Sequence, residues 1–411
     1  MKITFVVQKL DISGGGSNQS LDLMARLLLK RGHEIAILTI KPTLNDLPQD
    51  YPYRILTPPE PKFGTRYGVL NQAYRGLLDH DETADLYHVF TPQFLPAAGY
   101  YRKRSDSIPV IGRLNTYSAF CVNMSKMDGE CHKSCNIRSK FAHQDANLLK
   151  RVGKLPFYAS RTYIEPKFNA ALDRYFAISP AVKKIYAAVG IPQDRIEVIP
   201  NFCDSDFGLE DKPKTQNKEM MSSPSLFNDT SETTNLLYVG HLKDYKGVDL
   251  LLEAIREIPD CNGYIVGDGP AKDDLLSKVQ NFELTDRVSF EGWVDHNELP
   301  SYYHEADIFV HPARWPEPFG RTILESLQCG TPTVVSDIGG PPWVAGDAGR
   351  TFPSEDVERL AEILAELRDN PDRIEEMRKN CQPQVNRFRP ENVVPEIENQ
   401  YNKVLAATKA N

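Results

Sequence analysis

The chain has 411 residues, of which 41% are hydrophobic and 25% are charged, and its formal net charge is −8 at pH 7. A chain of this length exceeds what one hydrophobic core usually supports, so two domains of about two hundred residues each are expected. Because proteins that bind nucleic acid generally display a dominant basic surface, this negative charge argues against a nucleic-acid partner.

The N-terminus, MKITFVVQKLD, contains an apolar run of only about five residues, which is too short for a signal peptide or a membrane span. The seven cysteines are scattered along the chain, and an odd number without a secretory signal favours reduced thiols over a disulfide framework. The sequence therefore predicts a cytoplasmic protein.

The first half of the chain alternates β-rich runs with helical patterns, which is the rhythm of a parallel sheet. After a strand at residues 3–8 come a glycine loop and a helix with Leu21, Met24, Ala25 and Leu28 at helical spacing. Further strands are predicted at residues 34–40, 85–90, 110–114, 175–179 and 196–200. Residues 1–203 are thus expected to form a Rossmann-like domain.

Residues 204–235 are polar and poor in β-branched side chains, which predicts a linker or an extended loop. A second domain then follows at residues 236–386, again with alternating strands and helices. Its predicted strands are 236–240, 263–267, 288–293, 307–311 and 333–336, and a helix is predicted at 247–258. In such doubly wound sheets, ligands bind at the carboxyl ends of the strands.

Residues 316–337, PEPFGRTILESLQCGTPTVVSD, carry the most informative pattern. Glu317 lies in a turn, because the prolines on both sides of it forbid a continuous helix. A helix is predicted over residues 320–329 and ends at Gly330. The amides at the start of this helix suit a phosphate group. The residues predicted to lie at this start are Phe319, Gly320, Arg321 and Thr322.

Glu317 just before the helix and Glu325 inside it place two carboxylates near this anion site. The pairing suits a sugar joined to a phosphate, with the phosphate on the amides and the hydroxyls on the carboxylates. The alternative interpretation is a solvated helix face. The two Glu residues and the surrounding PFG, CGTP and VVSD resemble the donor-binding motif of retaining, nucleotide-sugar-dependent glycosyltransferases of family 4, which have the GT-B fold.

The resemblance extends to residues 238–254, YVGHLKDYKGVDLLLEA. In the family, an arginine and a lysine here clamp the diphosphate, and Lys246 matches the lysine. His241 occupies the arginine position, which is a departure from the common pattern, since imidazole lacks the fixed bidentate charge of guanidinium. Arg321 is then a candidate to compensate. The alternatives are a solvated lysine and a loop histidine without a role in binding.

The resemblance also assigns backbone loops. The glycine loop with Gly15 and Gly16 is similar to the family's N-terminal loop that faces the diphosphate, and the alternative is a flexible turn. VIPNFCD at residues 198–204, GDGP at 267–270 and VSFEGWV at 288–294 are similar to the interdomain and base-binding segments. His88 in LYHVFTPQF resembles a family histidine on the acceptor side. Its alternative is a core or loop histidine.

Cys121, Cys131 and Cys135, with His132 between them, form the chain's cysteine cluster and resemble an insertion found in some relatives. They could complete a structural zinc site, although free thiols in an acceptor-facing loop are the favoured alternative. A basic run that includes Lys150, Arg151 and Lys154 could touch a membrane surface or an anionic acceptor, but a solvated face is favoured.

The resemblance implies two Rossmann-like, doubly wound domains that face a cleft, with a C-terminal helix at residues 387–411 crossing back to the first domain. It also implies transfer of a sugar from a nucleoside-diphosphate sugar to a saccharide or lipid-linked acceptor, with no required cofactor. Glu317, Lys246 and His88 are the predicted catalytic residues. Two alternatives stay open, namely a nucleotide-sugar epimerase of related architecture and a non-catalytic sugar-nucleotide-binding subunit.

Overall fold

The structure is a computed structural model that describes residues 1–10, 16–41, 52–58, 66–80, 84–105, 107–127, 135–144, 147–204, 207–208, 227 and 233–410. The chain forms two compact units. Unit 1 comprises Met1–Phe202 together with Pro390–Asn411, and unit 2 comprises Cys203–Arg389.

Each unit contains one parallel sheet. In unit 1 the strands are β1 (Lys2–Lys9), β2 (Glu34–Lys41), β3 (Arg54–Leu56), β4 (Leu86–Val89), β5 (Val110–Leu114), β6 (Arg174–Ala177) and β7 (Ile196–Val198). In unit 2 they are β8 (Thr234–Val239), β9 (Cys261–Val266), β10 (Val288–Gly292), β11 (Ile308–His311), β12 (Thr333–Ser336) and β13 (Gly349–Phe352). The spatial orders are β3-β2-β1-β4-β5-β6-β7 and β10-β9-β8-β11-β12-β13.

The helices of the described residues are α1 (Gly16–Lys30), α2 (Arg66–Asp79), α3 (Leu95–Arg102), α4 (Ile137–Ala142), α5 (Leu148–Gly153), α6 (Leu155–Ala159), α7 (Glu165–Asn169), α8 (Pro180–Ala188), α9 (Val248–Glu257), α10 (Lys272–Asn281), α11 (Leu299–Glu305), α12 (Arg321–Gln328), α13 (Pro341–Ala345), α14 (Val357–Asp369), α15 (Pro371–Asn386) and α16 (Pro390–Ala410). A π-helical turn, Ser160–Ile164, joins α6 to α7. None of these helices is long and apolar enough to cross a membrane.

The two sheets confirm the predicted pair of Rossmann-like, doubly wound folds. In both, the strand order reverses between the first strand and the fourth, which are β1 and β4 in unit 1 and β8 and β11 in unit 2. Open α/β sheets of this order bind ligands outside the carboxyl ends of the strands at that reversal. In unit 2, the loops that follow β8 and β11 are therefore the expected place for a ligand.

The predicted strands are found within a few residues of their expected bounds, and the predicted helix at residues 247–258 is α9. The sequence did not predict β3 or β13, which are edge strands of three and four residues. Most of the predicted linker at residues 204–235 lies outside the described residues.

Helix α16 is part of unit 1 and completes its hydrophobic core. Its buried side chains Val394, Ile397 and Tyr401 join the same cluster as Phe5 and Phe176. At the surface, Glu398 accepts a hydrogen bond from Arg31 Nε at 2.8 Å and pairs with His33 at 2.8 Å. The C-terminal helix predicted at residues 387–411 is thus found as α16, and it packs on the first domain.

Tyr401 is also hydrogen-bonded to the buried side chain of His88. Its hydroxyl lies 2.7 Å from Nδ1 of that imidazole. Replacing Tyr401 with phenylalanine is expected to cost about 1–3 kcal/mol, because it leaves that buried nitrogen without its partner. All three tryptophans lie in unit 2, so their fluorescence reports on that unit alone. The variant should therefore unfold at a lower temperature when followed by far-UV circular dichroism, while the midpoint measured by tryptophan fluorescence stays unchanged. The exposed Tyr67→Phe is the matched control. A shared shift of both midpoints would contradict this assignment.

Candidate donor-binding site in unit 2

The loop after β8 is held against the loop after β11 by close backbone contact. Gly247 ends the short turn that carries Lys246 and has φ +71°, a conformation that favours glycine. A Cβ atom at this position would collide with the carbonyl oxygen of Pro312. Arg314, beyond β11, donates to both carboxylate oxygens of Asp249 at 2.6 and 2.8 Å. This bidentate pair fixes the two loops against each other.

Two glycines after β12 support the loop that carries Glu317. The amide of Gly340 donates to the Glu317 carbonyl at 2.7 Å. Gly339 has φ +79°, and a Cβ atom there would lie 2.5 Å from the same carbonyl oxygen. A Cβ atom on Gly340 would collide with the carbonyl of Pro318. The sequence GG at these positions therefore lets the backbone approach closely and sets the direction of Glu317.

Lys246 and His311 meet the carboxylate of Glu317. Lys246 Nζ lies 2.6 Å from Glu317 Oε2, and His311 Nε2 lies 3.0 Å from the same oxygen. Because an ionised carboxylate only accepts hydrogen bonds, the proton of His311 is assigned to Nε2. The side chain of His311 is 2% exposed, whereas those of Lys246 and Glu317 are 16% and 15% exposed. The Lys246–Glu317 pair is thus partly open to solvent at the carboxyl ends of β8 and β11.

Charge and burial act in opposite directions on Glu317. Burial alone would raise the pKa of its carboxyl group, but the neighbouring Lys246 and His311 outweigh that effect and hold the pKa below its ordinary value. The group therefore stays ionised in the folded protein at pH values where the unfolded chain would take up a proton.

This shift predicts a pH-dependent contribution to stability. Since the folded pKa lies below the ordinary value of 4.5, the contribution of Glu317 is fully present above that value and is lost as the pH falls through the lowered pKa. Wild type and Glu317→Gln should therefore differ in unfolding free energy by a constant amount from pH 5.5 to 7, and by less below pH 4.5. Urea unfolding followed by tryptophan fluorescence, which reports on unit 2, measures this difference. A gap that widens toward low pH would contradict the assignment.

Helix α12 begins as predicted beside this pair. Its N-cap, Gly320, is in the left-handed region with φ 98°, and no side chain caps the helix. The ring of Phe319 is buried and packs edge-on against Phe388, with centroids 5.6 Å apart. Phe319 therefore anchors the helix start, and only its backbone is available for binding. Thr322 is partly exposed in the first turn of the helix.

Glu325 lies on the buried side of α12, and its side chain is 10% exposed. The hydroxyl of Tyr303 donates to Oε2 at 3.2 Å, while His296 Nε2 lies 3.4 Å from Oε1. Arg321 approaches the same Oε1 from one helical turn away, at 3.9 Å. The carboxylate is thus oriented by neighbours from several elements, which fits binding better than a solvated helix face.

The other predicted donor-binding position, His241, is exposed at the end of β8. Its carbonyl accepts a hydrogen bond from the buried hydroxyl of Tyr238 at 3.0 Å. A second glycine loop supports this turn, since a Cβ atom on Gly269 would collide with the backbone of Leu242. The predicted segment GDGP at residues 267–270 therefore shapes the loop after β8 through its backbone.

Sequence reasoning missed His311, Tyr303, His296 and Arg314. His311 carried a usable signal, because it ends a buried strand next to the Glu317 turn. Tyr303 and His296 come from separate elements, and their proximity to Glu325 depends on the fold. Arg314 does not contact Glu317 but holds the Lys246 turn in place through Asp249.

Three of the predicted site residues belong to the N-terminal part of the chain, and the structure treats each of them differently. Gly15 lies outside the described residues, and Gly16 is the first residue of α1. His88 is 0% exposed, and burial lowers its pKa well below the usual value, an effect that Arg113 reinforces. Its ring packs between Phe5 and Phe176. The structure thus corrects the acceptor-side prediction for His88, since a fully buried side chain cannot touch an acceptor, and we assign it no catalytic part.

The cysteine cluster is only partly described, because Cys131 and His132 lie outside the described residues. Cys121 is buried, and burial raises the pKa of its thiol. Lys140 Nζ lies 3.3 Å from Sγ of Cys135, so an ammonium group already occupies one side of that sulfur. Within the described part of the chain, no group of three metal-ligating side chains is present. The zinc site stays a prediction.

Comparisons with known proteins match both halves of the chain. The family model "Glycosyltransferase Family 4" matches residues 14–207, and "Glycosyl transferases group 1" matches residues 225–385. The α-D-kanosaminyltransferase of Streptomyces kanamyceticus is 33% identical over 154 residues, which are 36% of this chain and 40% of that protein. The chain spans about half the length of the curated relatives it matches.

Solved structures match nearly the whole chain. The sucrose-phosphate synthase of Thermosynechococcus elongatus gives a TM-score of 0.73 at 19% identity and covers 99% of both chains. Anabaena HepE in complex with UDP and glucose gives 0.68 at 18% identity, over 98% of this chain and 100% of that chain. At these identities the likeness establishes the fold.

Proposed function

Because the chain belongs to the nucleotide-sugar glycosyltransferases of the family 4 type, with the GT-B fold, we propose that it moves a sugar from a nucleoside diphosphate to an acceptor hydroxyl with the anomeric configuration kept. The Lys246–Glu317 pair carries this proposal, since it lies at the carboxyl ends of β8 and β11, where the strand order reverses. HepE, a structural neighbour, is in complex with UDP and glucose, which supports a donor of this class.

The departing diphosphate needs positive charge and amide donors. An ammonium group has three protons, so Lys246 can keep its bond to Glu317 and still donate to a phosphate oxygen. Arg321 and the start of α12, with the partial positive charge of a helix N-terminus, add to it. Since Lys246 and Arg321 each have a carboxylate nearby, we propose that the helix start supplies a substantial share of the phosphate binding.

The carboxylates of Glu317 and Glu325 are assigned to hydroxyl groups of the donor. Lys246 and His311 both bind Oε2 of Glu317, so Oε1 is the oxygen that we assign to the donor sugar. Glu325 is assigned to the ribose. In the transfer step the bond between C1 and the phosphate oxygen breaks, and a bond from C1 to the acceptor oxygen forms on the same face. The acceptor proton passes to the leaving diphosphate, as the family resemblance implies, so no enzymic nucleophile is required.

The test is incubation of the full chain with UDP- and GDP-sugars, with and without saccharide or lipid-linked acceptor extracts. Transfer should release nucleoside diphosphate only when an acceptor is present, and the product should show the donor's anomeric configuration by NMR. Isomerised donor without acceptor would instead identify an epimerase. Tight donor binding without transfer to any acceptor would identify a binding subunit.

We propose the cytoplasm, including the inner face of the membrane, as the place of action. The six cysteines of the described residues are free, which suits a reducing compartment. A saccharide acceptor is in keeping with the sugar-transferring relatives, and a lipid-linked saccharide is the alternative. That the reaction needs no cofactor and involves no nucleic acid remains a prediction from the sequence.

A further inference from the structure

Unit 1 concentrates exposed apolar side chains in one short segment. Of the ten large hydrophobic side chains that are exposed in the described part of the chain, six fall within residues 148–164. They are Leu148 (68% exposed), Leu149 (84%), Val152 (49%), Leu155 (40%), Tyr163 (63%) and Ile164 (55%). We call these six residues the 148–164 surface. Single exposed hydrophobics are ordinary, but such a concentration marks an interaction site.

Helix α5 is not packed against the described part of the chain. None of its six residues is buried. Leu148 and Val152 are four residues apart in α5 and therefore share a side of the helix. A helix of a globular domain normally packs such an apolar side on the core. Here the apolar side is exposed, and none of the residues that the structure describes covers it, so we look for its occupant outside the described residues.

Charge indicates the kind of occupant. Residues 147–167 contain five basic side chains and one acidic side chain, although the whole chain has a net charge of −8. Lys150, Lys154 and Lys167 are exposed, whereas the single acid, Glu165, is buried. The apolar side chains are thus accompanied by cations without a competing exposed carboxylate in the segment.

We propose that the 148–164 surface docks on an anionic lipid bilayer. The leucines would enter the boundary between headgroups and acyl chains, while the lysines would bind lipid phosphates, as basic amphipathic segments do. A second copy of the chain is a poorer occupant, because a symmetric contact would bring the same cations face to face. The sequence had favoured a solvated face here, since it did not show that the leucines are exposed.

Docking on a bilayer also specifies the class of acceptor, and that part of the proposal rests on the proposed function. A transferase held on a bilayer by unit 1 would meet an acceptor carried by lipid. Vesicle binding itself requires no glycosyl transfer, so the docking surface and the transfer reaction can fail independently of each other.

The test is co-sedimentation of the full chain with vesicles of phosphatidylcholine that contain 30%, or no, phosphatidylglycerol. We expect binding to the anionic vesicles that weakens with salt. Leu148→Ser with Leu149→Ser should lower the partition coefficient at least about tenfold. Lys150→Gln with Lys154→Gln should lower it about tenfold or more, and only on anionic vesicles. Leu276→Ser, an exposed leucine of α10 in unit 2, is the matched control and should bind normally.

Circular dichroism checks that the variants fold, which is expected because the replaced side chains are exposed. Failure of the wild type to bind anionic vesicles would overturn the proposal. Equal binding by the wild type and the Leu148→Ser, Leu149→Ser variant would also overturn it. A dimer in light scattering that this variant dissociates, with no vesicle binding, would assign the surface to self-association instead.

Discussion

Replacing Lys246 with methionine is expected to lower kcat/KM about 100- to 1,000-fold, the usual effect of removing one donor that stabilises developing charge. Methionine keeps the length of the side chain but removes the ammonium group that lies 2.6 Å from Glu317. The loss should fall mainly on kcat, because the charge on the leaving diphosphate grows in the transition state. Initial rates at several donor concentrations measure it.

Lys243→Met is the matched control, since Lys243 lies in the same loop but its described contact is with the ring of Tyr245. A double-mutant cycle with Glu317→Gln adds a second readout. Because Lys246 and Glu317 are directly bonded, the double variant should lose less activity than the product of the two single losses. Full activity of Lys246→Met, or strict additivity in the cycle, would refute the assigned clamp.

Glu325→Ala is expected to weaken the binding of nucleoside diphosphates about 10- to 150-fold, the range for losing hydrogen bonds to a charged group. The side chain is 10% exposed and oriented by Tyr303 and His296, so it is already in place for a ribose. Isothermal titration with UDP and GDP measures the loss.

Pyrophosphate provides the discriminating ligand. If Glu325 binds the ribose, its loss should not weaken the binding of pyrophosphate, since it removes only a negative charge near Arg321, whereas a general disturbance of α12 should weaken both ligands. Glu376→Gln, an exposed acid on α15, is the control. Unchanged nucleotide affinity in Glu325→Ala would remove the ribose assignment.

Local chemistry explains which parts of the fold could be predicted. Helix α12 was predicted within one residue at each end, because Gly320 and Gly330 mark its limits. The central strands were predicted because both of their faces are buried and they appear as continuous apolar runs. By contrast, the edge strand β3 has only three residues, and one of them, Arg54, is exposed.

The candidate site was predictable as a set of residues but not as a set of contacts. The resemblance identified Glu317 and Lys246 separately. They are 71 positions apart in the sequence, so their ion pair could be recognised only once the order of the strands was known. His88 shows the opposite failure. A histidine in an apolar strand has the same sequence pattern whether it faces a ligand or the core. In this structure His88 faces the core, where Tyr401 from α16 packs against it.

The return of α16 to unit 1 has a consequence for synthesis on the ribosome. Residues 390–410 supply Ile397 and Tyr401 to a core that otherwise comes from residues 1–202. Unit 2 is continuous in the chain and can therefore mature first, although it is translated second. The nascent first half must wait with part of its hydrophobic interior uncovered, so a ribosome stalled near residue 389 would present a natural substrate for chaperones.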